Sequence, residues 1–203
     1  MTTPPFSLPG LRVMLADAGQ RRSPVIRLEL IRLRCQLVDV IDLVAEPDGL
    51  TAALERLAPD LLLIDCDQPS PRLLAQLTQA GPPRAVLLVA ERAEPAQMRA
   101  ALQAGVSDLH VAGLPPQRLG AVLQLALARF EHDQTLRHDL RLAQTQLAER
   151  KLVERARGIL MREQGLDEEA AFQRLRQLAM DGGQTLAAVA TRLIDADQLL
   201  RPR

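Results

Sequence analysis

Residues 59–69 read PDLLLIDCDQP. The apolar run at 61–64 is too short for a packed helix and lies between prolines, so it reads as a strand ending on Asp65. Similar runs flank it: LRVMLA at 11–16, VDVIDLV at 38–44, AVLLVA at 85–90 and LHVA at 109–112. Between them the segments 25–33, 50–57, 73–77 and 95–104 repeat their apolar residues with the helical 3.6 period. Five strands alternating with helices imply βαβ units, right-handed crossovers and a parallel sheet. The expectation is a doubly wound α/β domain over residues 1–115.

The pattern changes after Pro115-Pro116. Residues 117–162 contain no proline and only Gly120 and Gly158, which predicts one helix of about 45 residues. Its first part carries Leu119, Val122, Leu123, Ala126 and Phe130, a stripe able to close the α/β domain. Farther on, Leu136, Leu140, Ala143 and Leu147 follow 4-3-4 spacing among polar residues, a short coiled-coil seam. Residues 116–147 thus form a linking helix whose stripe is buried most simply against a second copy, giving a homodimer. In the remaining part, 148–203, the long helix runs through KLVERARGILMRE and stops near Gln164-Gly165. Asp167, followed by Glu168 and Glu169, caps a helix over 170–180, and Thr185 caps a last one over 186–200. Phe172 either packs in this small bundle or faces a ligand.

Composition narrows the function. Lys+Arg and Asp+Glu number 25 each, so indiscriminate coating of nucleic acid or an anionic membrane is excluded and any such binding needs a local patch. With no Trp, no Tyr and 3 Phe, recognition of bases on aromatic rings is disfavoured. Lys151 is the only lysine. Cys35 and Cys66 lie far apart in apolar surroundings, as in a reducing cytosol. No run reaches the length that spans a bilayer, and the start MTTPPFSLPG lacks the layout of a secretory signal, so a cytoplasmic protein without membrane contact is expected. His110, His132 and His138 share no metal-ligand spacing, no phosphate-cradling glycine loop occurs and no nucleophile has an evident base. Neither a metal, a cofactor nor an enzymatic activity is expected.

The first domain resembles a response-regulator receiver, a flavodoxin-like fold. Its strand 1 ends in Ala16-Asp17, strand 3 ends with Asp65 at the phosphoacceptor position, and GVSDLHVAGLPPQRL resembles the stretch around strand 5. Receiver chemistry needs a strand-1 acidic pair with the acceptor for Mg²⁺, a hydroxyl after strand 4 and a lysine after strand 5. Here Asp17 stands between Ala16 and Ala18, Val89-Ala90 replaces the hydroxyl, and Ala112-Gly113 replaces the lysine and the proline after it. A phosphoryl group on Asp65 would face Asp17 and Asp67 with no cation to pair it. The expectation is a pseudo-receiver, with Asp65 and Asp17 inactive equivalents of the phosphorylation site.

The tail resembles the ANTAR family of RNA-binding transcription antiterminators. Ala156, Arg157, Gly158, Leu160 and Met161 match one part of its signature; Glu169, Ala170, Phe172, Leu175, Arg176, Ala179 and Met180 match the other. The linker, including ARFE-x-DQ-x-LR at 128–137, resembles the nitrate/nitrite-responsive, NasT-like branch. This resemblance implies a pseudo-receiver, a coiled coil and a three-helix ANTAR tail. It further implies stabilisation of a two-hairpin antiterminator in the leader mRNA of nitrate or nitrite assimilation genes, and a NasS-like nitrate-binding sensor protein that sequesters the regulator.

The residues of the tail can carry RNA binding. From Arg137 to Arg162, seven cations face three carboxylates. Lys151, Arg155 and Arg162 recur at spacings of 4 and 7 and share one side of the helix, with Arg157, Arg174 and Arg176 as possible extensions. With few rings, bases would stack on guanidinium planes or rest against Met180, with hydrogen bonds from Gln177, Gln184 and Thr185. The alternative is a phosphorylation-dependent two-component response regulator with a nucleic-acid-binding output domain. A helix-turn-helix version of it is disfavoured by a last helix rich in alanine, where Arg192 is the only cation before Arg201.

Overall fold

The computed structural model describes residues 8–19, 22–81 and 83–200. The start of the chain, where no secretory signal is expected, falls mostly outside them. Five strands, β1 (Arg12–Asp17), β2 (Gln36–Asp42), β3 (Leu61–Cys66), β4 (Ala85–Ala90) and β5 (Asp108–Val111), alternate with α1 (Ser23–Arg32), α2 (Gly49–Leu57), α3 (Pro71–Gln79) and α4 (Pro95–Gln103). A short 3-10 turn, Pro116–Arg118, leads into α5 (Leu119–Gln164), followed by α6 (Glu168–Asp181) and α7 (Leu186–Leu200). All four strand pairings are parallel and the sheet order is β2-β1-β3-β4-β5, so the doubly wound reading holds.

The two-sided burial of such a sheet explains its unbroken apolar runs. Met14, Ala16, Leu62, Ile64, Val86 and Leu88 point to a core shared with α2, α3 and α4. Their neighbours in the chain, Val13, Leu15, Leu61, Leu63, Leu87 and Val89, point to the opposite core, where Leu30 of α1 and Leu119, Val122, Leu123 and Ala126 of α5 close the layer. Two strands end earlier than the sequence reading has them. β2 ends at Asp42 because its carboxylate accepts the N–H groups of Val44 and Ala45, turning the chain there despite the apolar Leu43 and Val44. β5 ends at Val111 because Ala112 takes a φ of 64°.

The chain divides into two compact units, Met1–Gln134 and Thr135–Arg203. In the second, Ala156, Ile159 and Leu160 of α5 pack with Ala171, Leu175 and Ala179 of α6 and with Val189, Ala190 and Ile194 of α7. Asp167 accepts the Ala170 N–H at 2.8 Å and Thr185 accepts that of Ala188 at 3.2 Å, the two predicted caps. Gly165 reverses the chain after α5 with a φ of 65°. Leu175 is fully buried at the centre of this cluster, so Leu175→Ala is expected to destabilise the second unit by about 2–5 kcal/mol, read as a lower midpoint in urea. An unchanged midpoint would remove Leu175 from the core.

Candidate functional site

Two constellations stand out, one in each unit. The first lies at the carboxyl ends of β1 and β3, where Asp17 and Asp65 are partners in register at the point where the strand order reverses. Both are buried, Asp65 to 1% exposure. Gly19 donates its N–H to Asp17 Oδ1 at 3.0 Å, an Asx turn directly after β1. Beyond that loop stands Arg22, which the sequence reading did not single out. Its Nε donates to Asp65 Oδ1 at 2.8 Å, a second nitrogen lies 2.6 Å from the same oxygen, and the guanidinium also donates to the Cys66 carbonyl and to Glu91 Oε2.

The expectation that Asp65 lacks a cation is therefore corrected. The guanidinium arrives from before α1, not from after β5, and it bonds the bare carboxylate. The loop after β5 is shaped around it. Gly113 has a φ of 78°, the left-handed region that favours glycine, and a Cβ there would stand 2.9 Å from an Arg22 nitrogen, so a side chain would be strained and would displace the guanidinium. Burial raises the Asp65 carboxyl above its ordinary value, and the Arg22 hydrogen bonds and charge oppose that shift. Burial, with the adjacent Asp65 charge, pushes the Cys66 thiol up to about 12, leaving it an unreactive thiol. The only signal in the sequence was an arginine at the edge of a helix start, the edge of a doubly wound sheet where ligands and charges collect.

The second constellation lies on the helices of the C-terminal unit. Lys151 and Arg155 are exposed, one turn apart on α5, and have no hydrogen bond or ion pair among the described residues. Arg174 and Arg176 are likewise exposed and unpaired on α6. Two residues apart, they project about 200° from one another, so the helix does not gather them into one patch. Arg176 shares its face with Met180, which is 67% exposed.

The other predicted contacts already have partners. Arg157 is bonded to Glu154 and, at 2.9 Å, to Glu168, tying α5 to the start of α6. Arg162 pairs with Glu163 and with Asp197, both at 2.7 Å, tying α5 to α7. Gln177 donates to Asp181, Gln184 accepts from Arg192, and Thr185 serves as the α7 cap. Phe172 is partly buried. The seam residues Leu136, Leu140 and Leu147 are between 53% and 58% exposed, and Ala143 is exposed with them.

This helical unit matches a known family model. Residues 141–194 match the ANTAR domain. The chain carries an ANTAR domain. Over 55 residues it is 46% identical to the nitrate regulatory protein of Klebsiella oxytoca, a match that covers 27% of this chain and 14% of that protein. The chain thus spans only a small part of that relative. The transcriptional regulatory protein PdtaR of Mycobacterium tuberculosis is 28% identical over 193 residues, covering 86% of this chain and 90% of that one. The receiver-like half is similar in fold to a CheY-like response regulator receiver domain protein from Methanospirillum hungatei, with a TM-score of 0.51, 18% identity, and coverage of 61% of this chain and 98% of that structure.

The ANTAR segment contains every unpaired cation of α5 named above, and the two clamps Arg157 and Arg162 hold its three helices together. Among the described residues, no group of three or more metal-ligating side chains occurs, and no helix is long and apolar enough to cross a membrane.

Proposed function

We propose that this chain is an RNA-binding transcription antiterminator whose ANTAR domain stabilises a two-hairpin antiterminator in the leader mRNA of nitrate or nitrite assimilation genes. The observation that carries the reading is the matched ANTAR segment presenting Lys151 and Arg155, charged, exposed and unpaired, on one side of α5. Arg176 and Met180, which share a face, add contacts from α6, and Arg174 lies on another face of that helix. Arg157, Arg162, Gln177, Gln184 and Thr185 hold the bundle in shape and reach RNA only by exchanging partners they already have.

Input comes from a protein partner. Arg22 already pairs the Asp65 carboxylate, which supports a receiver fold used for docking in place of phosphoryl transfer. The similarity to a nitrate regulatory protein supports a nitrate-binding, NasS-like sensor as that partner. Exposed Leu136, Leu140, Ala143 and Leu147 support a homodimer through α5, which would present two ANTAR domains to two hairpins.

The test uses the whole chain and a labelled leader RNA with two stem-loops from upstream of neighbouring nitrate-assimilation genes. Sub-micromolar binding by a dimeric species is expected. The co-encoded nitrate-binding protein should abolish it, and nitrate or nitrite should restore it. Failure to bind this RNA at about 0.1 M salt would overturn the antiterminator reading. Binding indifferent to the sensor would overturn only the nitrate input.

A further inference from the structure

Gly158 is out of place by every internal criterion. It sits inside α5, six residues before the helix ends, where glycine is the poorest helix former after proline. The other glycines have local reasons. Each of them either has a positive φ or would place a Cβ within 3.4 Å of a neighbouring atom. Gly158 has neither: its backbone is helical and nothing lies within 4 Å of the position its Cβ would occupy. The fold itself would accept alanine there and gain from it.

Its surroundings indicate what the missing side chain makes room for. Gly158 is exposed and lies on the side of α5 opposite Ala156, Ile159 and Leu160, which face the bundle core. On the helical wheel Lys151, Arg162 and Arg155 fall within about 20°, 40° and 60° of it. Lys151 and Arg155 lie toward the helix start and Arg162 lies one turn beyond Gly158. The result is a bare strip of helix backbone bordered on one side by Lys151, Arg155 and Arg162 and on the other by Glu154, whose charge Arg157 pairs.

We infer that Gly158 is the close-approach point for the ribose-phosphate backbone of the bound RNA, which lies against the α5 main chain between Lys151/Arg155 and Arg162. A helix carbonyl has a second lone pair, and an uncovered one can accept a hydrogen bond from a 2′-hydroxyl while Lys151 and Arg155 meet the phosphates and Arg162 joins them on exchanging its Glu163 and Asp197 partners. A second copy of the chain is the other occupant that could use a bare strip. The apolar seam stops at Leu147, however, and a copy docked at Gly158 would bring like-charged Lys151 and Arg155 side chains together. Charge complementarity favours the polyanion.

This inference rests on the RNA-binding reading, and its test separates the two. The full-length Gly158→Ala chain should melt about 2 °C or more higher than the parent, because alanine is the better helix former. Its affinity for the two-stem-loop leader RNA should fall about tenfold or more, the cost of forcing a methyl into a filled contact. Its mass by sedimentation in the absence of RNA should not change. Stability and binding thus move in opposite directions, which misfolding cannot mimic. Unchanged affinity in Gly158→Ala overturns the contact while leaving RNA binding intact. Affinity lost together with the dimer mass overturns it in favour of a contact between copies. A parent chain that does not bind the RNA overturns the antiterminator reading and this contact with it.

Discussion

Replacing Arg22 by alanine is expected to destabilise the N-terminal unit by about 3 kcal/mol, because it leaves the buried Asp65 carboxylate without its counter-charge. Asp65 is 1% exposed, so water cannot replace the two guanidinium contacts that are lost. The thermal midpoint should fall by about 10 °C. Adding Asp65→Asn to that background should recover much of the loss, since an amide carries no charge to desolvate. A double variant as unstable as Arg22→Ala alone would show that the arginine acts by packing and not by pairing.

The same pair sets a pH dependence. The Asp65 carboxyl lies above its ordinary value in the folded state, so the folded chain binds more protons than the unfolded chain across the interval between the two values. Stability contributed by this group is therefore full at lower pH, declines as pH rises through the folded value and is level above it. Removing Arg22 takes away the influence that holds the carboxyl down, so the decline in Arg22→Ala should extend to higher pH than in the parent. Melting curves between roughly pH 4 and pH 8 measure it; parallel curves for the two chains would contradict the assignment.

Lys151→Glu/Arg155→Glu is expected to lower affinity for the two-stem-loop RNA about 100-fold or more at ~0.1 M salt, since each copy exchanges two phosphate-facing cations for two anions. Both side chains are exposed and without partners among the described residues, so the fold should be untouched within about 0.5 kcal/mol. Arg155→Ala alone should weaken binding severalfold and lower the slope of log affinity against log salt by about 1. Arg157→Ala is a useful contrast, because its loss would act through the Glu154 and Glu168 contacts and so would also lower the melting midpoint. Unchanged RNA affinity in the double charge reversal would remove this face of α5 from the interface.

Most of the architecture was legible in the sequence because its causes are local. The run at 61–64 is a strand, the proline-free stretch after Pro116 is a helix, and Asp167 and Thr185 stand directly before the helices they cap. At the end of β2 a side chain redirects the backbone: the Asp42 carboxylate captures the next amides and ends the strand early. The candidate sites were legible only as residue types. A charge census counts Arg157 and Arg162 with Lys151 and Arg155, and it cannot tell that Glu168 and Asp197 have claimed the first two.

By itself the sequence determined which segments are strands and helices, that the tail has the ANTAR pattern, and that the hydroxyl and lysine of receiver chemistry are missing. Tertiary structure alone decided that Arg22 closes on Asp65, 43 residues later in the chain, that Gly113 comes to lie against it, and that Gly158 faces open space. The physical reason is range. Propensity, periodicity and caps act over a few residues, whereas the pairing of a buried charge depends on which strand ends the sheet order brings together.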